Sequence, residues 1–235
     1  DVISTQTDDI TVAAGKTETI SQSVDVANPK LWSVDSPNLY WVRTEIIQNG
    51  KVVDRTDSRF GIRYIATNPN SGFYLNGVHT KLNGVCEHSD LGSLGMETYQ
   101  AAVDRRIRTL KKYGVNAIRT SHDAVSPEFI EACDRLGMLV FEEAFDQWLY
   151  SKNSDDYHNY FNKAADGKTV VFDKAGNDNT NNDTSYIEVK REDLQSNAER
   201  DIKAMVDRDK NAPCIFAWST GNEIYDARYK HGENT

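Results

Sequence analysis

The residues best placed to do chemistry are Asn222 and Glu223, which follow a short apolar strand expected over Cys214–Trp218. An amide beside a carboxylate at the C-terminal end of a strand is how a (β/α) barrel offers a general acid to a substrate. Three earlier expected strands end in comparable groups. The first leads to Glu87-His88-Ser89-Asp90, the second to Ser121-His122-Asp123, and the third to Glu142-Glu143 and Asp146. Each end can hydrogen-bond a polyol or move a proton. A lone strand-end histidine is more often structural, but consecutive strand ends of this kind point to a site. Few residues follow Glu223, so a second carboxylate carried by a later strand is expected to lie outside this chain.

More than one chemistry fits these residue types. His88, His122, Glu143 and Glu223 offer imidazole and carboxylate donors that suit zinc or manganese. They come from separate strands, however, and no HxH or HExxH pair joins them. Nucleophilic serine chemistry lacks a Gly-x-Ser-x-Gly elbow. Carboxylate acid/base chemistry on a sugar fits best, because glycosidases place two carboxyls across the scissile bond among polar and aromatic groups. Trp148, Trp218 and Tyr225 are candidate stacking surfaces, although Trp218 in mid-strand also suits packing. A local nucleophile among Glu87, Glu142 and Glu143 is the weaker option, since adjacent residues of a strand face opposite ways.

The elements that would position these groups change character near residue 70. Before it, Thr17–Ile20, Tyr40–Ile46 and Lys51–Arg55 read as strands, with Asn49-Gly50 as a two-residue hairpin turn. Residues 1–66 are therefore expected to form an antiparallel, immunoglobulin-like β-sandwich. Thr67–Gly72 reads as a linker, and a short hairpin turns at Asn76-Gly77. From there strands and helices alternate. Val103, Ile107 and Leu110 share one helix face ending at Gly114, while Ser126 caps a second helix with Pro127 in its first turn and Gly137 beyond its end. A third helix is expected over about Glu188–Arg208. Strands over Lys81–Cys86, Val115–Thr120, Met138–Phe145 and Cys214–Trp218 complete four βα units, which need a parallel sheet. Residues 67–235 thus read as the first half of an eight-stranded barrel, or a small open sheet. The interval Leu149–Ile187 has no apolar period and reads as a solvated loop on the active face, with a formal glycosylation sequon at Asn182.

Composition narrows the partners. The 235 residues carry a net charge of −9 with 38% hydrophobic and 27% charged residues. Such a balance, without a basic cluster, disfavours nucleic acid and anionic membrane surfaces. Charges interrupt every apolar run, so no transmembrane span is expected. Asp1–Asp9 is polar and acidic and carries no signal peptide; the chain reads as starting inside a larger protein, and no compartment is assigned. Cys86, Cys133 and Cys214 each lie in an apolar segment and are expected to be buried thiols.

A family resemblance rests on motifs spread along the chain. Arg59-Phe60-Gly61-Ile62-Arg63, Gly72–Gly77, Gly84–Gly92, Ile118-Arg119-Thr120-Ser121-His122, Glu142–Trp148, Arg208-Asp209-Lys210-Asn211 and Trp218–Glu223 together resemble glycoside hydrolase family 2, especially its β-galactosidases. Pro29–Ser33 with Pro37–Tyr40 is similar to the family's sandwich domain. The resemblance implies a retaining β-glycosidase in which Glu223 is the acid/base and Asn222 holds the sugar near its 2-hydroxyl. It further implies that His88 and His122 contact the glycone, that Asp146 and Trp148 shape the pocket, and that the nucleophile lies near the seventh strand, beyond this chain. The fragment alone would then be inactive.

Departures from the family pattern qualify this. Asn211-Ala212-Pro213 replaces the common Asn-His-Pro, and Asp123-Ala124 stands where Asn-Pro is frequent. Gln147 and Leu149 occupy the positions where larger β-galactosidases hold magnesium, so no cofactor is expected. The implied substrate is a β-galactoside, with glucuronides, mannosides or a non-catalytic carbohydrate-binding scaffold as alternatives. A half-barrel exposes strand edges, so a homo-oligomer or another association through those edges is also expected.

Overall fold

The computed structural model describes residues 2–146, 170–173, 186–189 and 191–223. Strands β1 (Tyr40–Gln48) and β2 (Lys51–Phe60) pair antiparallel around Asn49-Gly50, whose φ values of 51° and 74° are both left-handed. Two consecutive positive φ values make the tight turn whose twist matches a hairpin, which is why Asn-Gly serves there. The β-branched residues of this ribbon remain exposed on both faces, with Trp41 at 64% and Val53 at 57% exposure. The sandwich expected over 1–66 is thus represented by one hairpin. Residues 2–39 contain no strand beyond the isolated Trp32–Pro37 bridge, and Thr17–Ile20 is not one. Strand propensity becomes a strand only when a ladder partner takes up the backbone N–H and C=O groups, and that segment has none among the described residues.

The expected linker is also structured. Strands β3 (Ile65–Asn68), β4 (Gly72–Leu75) and β5 (Val78–His79) form a meander that runs through the anticipated 66/67 boundary. The Asn68 carboxamide accepts the backbone N–H groups of Asn70 and Ser71 at 2.8 and 3.2 Å, so the Asn-Pro-Asn-Ser-Gly run is a turn and not a tether. Phe73 and Leu75 of β4 are buried, and Phe73 meets Phe216 edge-on at 5.4 Å.

Four parallel strands make the sheet that carries the site. Their order is β6 (Gly84–Glu87), β7 (Ala117–Thr120), β8 (Leu139–Glu143) and β11 (Ile215–Ser219). Neighbours in space follow chain order with no reversal, as in an arc of a barrel; a doubly wound sheet would reverse. Among the described residues the arc is not closed, and β6 and β11 are its edges.

Helices α1 (Gln100–Lys112) and α2 (Pro127–Leu136) pack against each other over one face of the sheet. Their bounds follow from local chemistry. Ser126 Oγ accepts the Phe129 N–H at 3.3 Å, Pro127 opens α2, and Gly137 ends it with a left-handed φ of 73°. Val103, Ile107, Phe129, Ile130, Ala132 and Cys133 join Ile118 and Val140 in one core.

The interval expected to be only loop contains an antiparallel pair, β9 (Val170–Asp173) with β10 (Tyr186–Val189). Helix α3 (Arg191–Asp209) therefore starts after Glu188, which belongs to β10. Val170–Asp173 and Tyr186–Val189 carry the β-branched and aromatic residues a strand prefers, a signal that the polar run between them obscured. That run, including Asn182, lies outside the described residues.

The N-terminal part is fastened to the helical layer by buried polar contacts. Trp32 is fully buried and its Nε1 donates to the Asp134 carbonyl at 2.8 Å. The Asp134 side chain accepts from Arg59 of β2 at 3.0 Å and from the Cys214 N–H at 3.0 Å. Lys111 Nζ donates to the carbonyls of Val34, Leu136 and Gly137.

Candidate active site

Alternation along β8 separates its two glutamates. Glu142 and Glu143 are both essentially inaccessible, at 0% and 1% exposure, yet they face opposite sides of the sheet. Glu142 lies on the helical side, where Arg208 Nη2 reaches it at 3.2 Å. Burial and the neighbouring Asp209 carboxylate push Glu142 up to about 8, against the opposing charge of Arg208. Its environment favours the protonated form, and it faces away from the strand-end cluster.

Glu143 lies on the open side with Arg119 of β7. Its Oε2 accepts from Arg119 Nη2 at 2.8 Å and from Ser219 Oγ at 2.8 Å, while Oε1 lies 2.6 Å from His122 Nδ1. Burial alone would raise its pKa. The hydrogen bonds from His122, Arg119 and Ser219, with the Arg119 charge, outweigh that and hold it below the usual glutamate value. The strand itself is pinned here, for the Glu143 N–H donates to Thr120 Oγ1 at 2.8 Å.

The strand ends converge on this pair. Arg119 Nη2 donates to Asn222 Oδ1 at 2.7 Å, and Asn222 Nδ2 donates to Asp146 Oδ1 at 2.9 Å. The Asn222 N–H caps the end of β8 by donating to the Phe145 carbonyl at 2.7 Å. The ring of His88, just beyond β6, meets that of His122 at 90° with centroids 5.5 Å apart. His88, His122, Asp146 and Asn222 therefore form one cluster at the C-terminal ends of the parallel strands. Glu223 follows directly, exposed and in a left-handed conformation with φ 50°. Trp148, Gln147, Leu149 and Tyr225, all singled out in the sequence, lie outside the described residues.

Arg119 is the member to which the sequence gave no role, and Glu143 was considered there only as a metal ligand or a local nucleophile. A charged residue among the buried positions of a strand such as Ala117–Thr120 signals a partner, because a half-buried guanidinium without one is costly. Cys133 and Cys214 are buried as expected, but Cys86 is exposed. It sits on edge strand β6 with its Sγ 4.0 Å from Arg119 Nη1. Among the described residues no three His, Cys, Asp or Glu side chains converge as a metal site.

A parallel arc with an amide, a carboxylate and paired histidines at its strand ends is the kind of arrangement a barrel enzyme of the glycosidase class presents. The family profile described as "Glycosyl hydrolases family 2, TIM barrel domain" matches residues 67–233, and that described as "Glycosyl hydrolases family 2" matches residues 1–63. The chain belongs to glycoside hydrolase family 2.

Among its relatives, a β-galactosidase of Bacteroides ovatus is 36% identical over 91% of this chain and 21% of its own length. A putative β-glucuronidase of Formosa agariphila is 37% identical over 87% of the chain and 17% of its own length. A crystal structure of a glycosyl hydrolase family 2 member from Bacteroides cellulosilyticus superposes with a TM-score of 0.65 at 39% identity, covering 85% of this chain and 21% of that one. The chain thus spans about a fifth of the length of the curated relatives it matches.

Proposed function

We propose that this chain carries the acid/base half of a retaining β-glycosidase acting on terminal β-galactosides. Glu223 is assigned as the acid that protonates the glycosidic oxygen and then, as a carboxylate, activates water. Asn222 is assigned to the sugar near its 2-hydroxyl, His88 and His122 to the glycone, and Asp146 and Trp148 to the pocket wall. The observation that supports this best is the clamp on Asn222, whose amide is held at both ends by Arg119 and Asp146 immediately before Glu223. Such double anchoring orients a group before the substrate arrives, and orientation is worth several kcal/mol of barrel-enzyme catalysis.

The nucleophile is assigned to a later strand outside these residues. Glu143, the other buried carboxylate on the open face, has both oxygens occupied by donors, and Glu142 faces the helices. In this reading residues 1–66 are the immunoglobulin-like domain and 67–235 the first half of the catalytic barrel. The open edges of β6 and β11 would then be covered by further barrel units or by a second copy.

A galactoside is favoured over a glucuronide by charge. Among the described strand-end residues, carboxylates outnumber cations, and Arg106 and Arg119 are each paired with a glutamate, at 2.8 Å in both cases. A uronate would bring a further negative charge into that field, where no described strand-end residue offers an unpaired cation.

The test is kinetic. In the full-length protein, nitrophenyl β-galactoside should be hydrolysed in preference to the β-glucuronide, and Glu223→Gln should lower kcat by about 10²–10⁴-fold. Unchanged activity in that variant would remove Glu223 from the mechanism.

A further inference from the structure

We infer that Glu143 is the positioning residue of this site, fixing the tautomer of His122 and, through Arg119, the orientation of the Asn222 amide. The inference rests on the acid/base assignment above but concerns a residue which that assignment leaves without a role.

The argument is one of hydrogen-bond accounting. Arg119 Nη2 carries two hydrogens and approaches Glu143 Oε1 at 2.9 Å, Glu143 Oε2 at 2.8 Å, Asn222 Oδ1 at 2.7 Å and His122 Nδ1 at 3.3 Å. One hydrogen serves the Glu143 carboxylate and the other the Asn222 carbonyl oxygen, so none remains for His122. His122 Nδ1 must then itself carry a hydrogen, donated to Glu143 Oε1 at 2.6 Å. A carboxylate only accepts, which makes this tautomer the one it permits. The imidazole is left with Nε2 as its second nitrogen, available to a sugar hydroxyl.

The same carboxylate sets the guanidinium. Arg119 Nε lies 3.2 Å from Oε2 while Nη2 spans both oxygens, so the plane of the guanidinium follows that of Glu143. Ser219 Oγ, from the neighbouring strand, closes the remaining side of Oε2 at 2.8 Å. Asn222 Oδ1 faces the hydrogen that Glu143 does not use. Glu143 thus links β7, β8 and β11, whose ends carry His122, Asp146 and Asn222 of the proposed sugar contacts. The bland alternative is that Glu143 does no more than neutralise Arg119.

The two are separated by a double-mutant cycle on β-galactoside hydrolysis by the full-length protein, once Glu223→Gln has been shown to be inactive. Glu143→Gln should lower kcat about 10–100-fold with a smaller change in KM, the scale of a lost outer-shell orienting contact. His122→Ala should cost about tenfold or more alone, yet less than about threefold on top of Glu143→Gln, since His122 would already be released. If the two losses multiply, or Glu143→Gln stays within about threefold of wild type, the inference is overturned while the Glu223 assignment stands. Should Glu143→Gln fail to fold, selective ¹⁵N labelling of histidine in the wild-type protein decides. A protonated Nδ1 on His122 supports the inference, and a protonated Nε2 with bare Nδ1 refutes it.

Discussion

Replacing Glu142 by glutamine should remove a large part of the protein's loss of stability at alkaline pH. Glu142 is fully buried between Arg208 and Asp209, and its pKa is raised from 4.5 to about 8. Its Oε2 has no hydrogen-bond partner, and a proton carried there can be directed at the neighbouring Asp209 carboxylate. Between pH 4.5 and about 8 the native state keeps that proton and the unfolded chain has released it. The native state then binds more protons, so stability falls as pH rises. The contribution is fully present below about pH 4.5 and is gone once pH passes about 8.

At about 1.4 kcal/mol per pH unit the whole window is worth at most about 5 kcal/mol. Arg208 retains 36% side-chain exposure, so solvent screens part of this, and about 2–4 kcal/mol is the expected effect. Glutamine is neutral at every pH and presents an NH₂ toward Asp209, imitating the protonated acid. Denaturant midpoints of wild type and Glu142→Gln should agree within about 1 kcal/mol near pH 5 and diverge in favour of the variant near pH 9. Equal pH slopes in the two proteins, or a less stable variant near pH 9, would refute the reasoning.

Two further substitutions test how the N-terminal part is fastened. Gly137→Ala forces a side chain onto a φ of 73° and sets its Cβ 2.2 Å from the Val34 carbonyl oxygen, so it should cost at least about 2 kcal/mol and show as a lowered melting midpoint. Asp134→Asn keeps an acceptor for the Cys214 N–H but turns an NH₂ toward Arg59, leaving that guanidinium only its longer pairing with Glu131 at 3.6 Å. It should destabilise by about 3 kcal/mol at neutral pH, read from denaturant midpoints.

Much of the arrangement was legible because it is encoded locally. The Asn49-Gly50 and Asn76-Gly77 turns, the Ser126-Pro127 helix start and the Gly137 stop depend on φ preferences and caps within a few residues. The four parallel strands followed from apolar runs separated by helical periods, and the polar strand ends followed from their position. Three expectations failed where a distant partner decides. Among the described residues Thr17–Ile20 has strand propensity but no ladder, Thr67–Gly72 has linker composition but its ends pair in β3 and β4, and Cys86 lies in an apolar run yet is exposed.

The site divides in the same way. The sequence by itself determined which groups stand at the strand ends, Asn222, Glu223, His88, His122 and Asp146, because the apolar period and the residues that follow each run are local properties. It could not say which of Glu142 and Glu143 belongs to the site, nor that Arg119 joins them. That depended on β7, β8 and β11 lying side by side in register, which brings residues 24 and 103 positions apart within hydrogen-bond reach. One glutamate was thereby left buried under the helices with its pKa raised. The other was held as an anion by donors from the adjoining strands, a difference of environment and not of residue type.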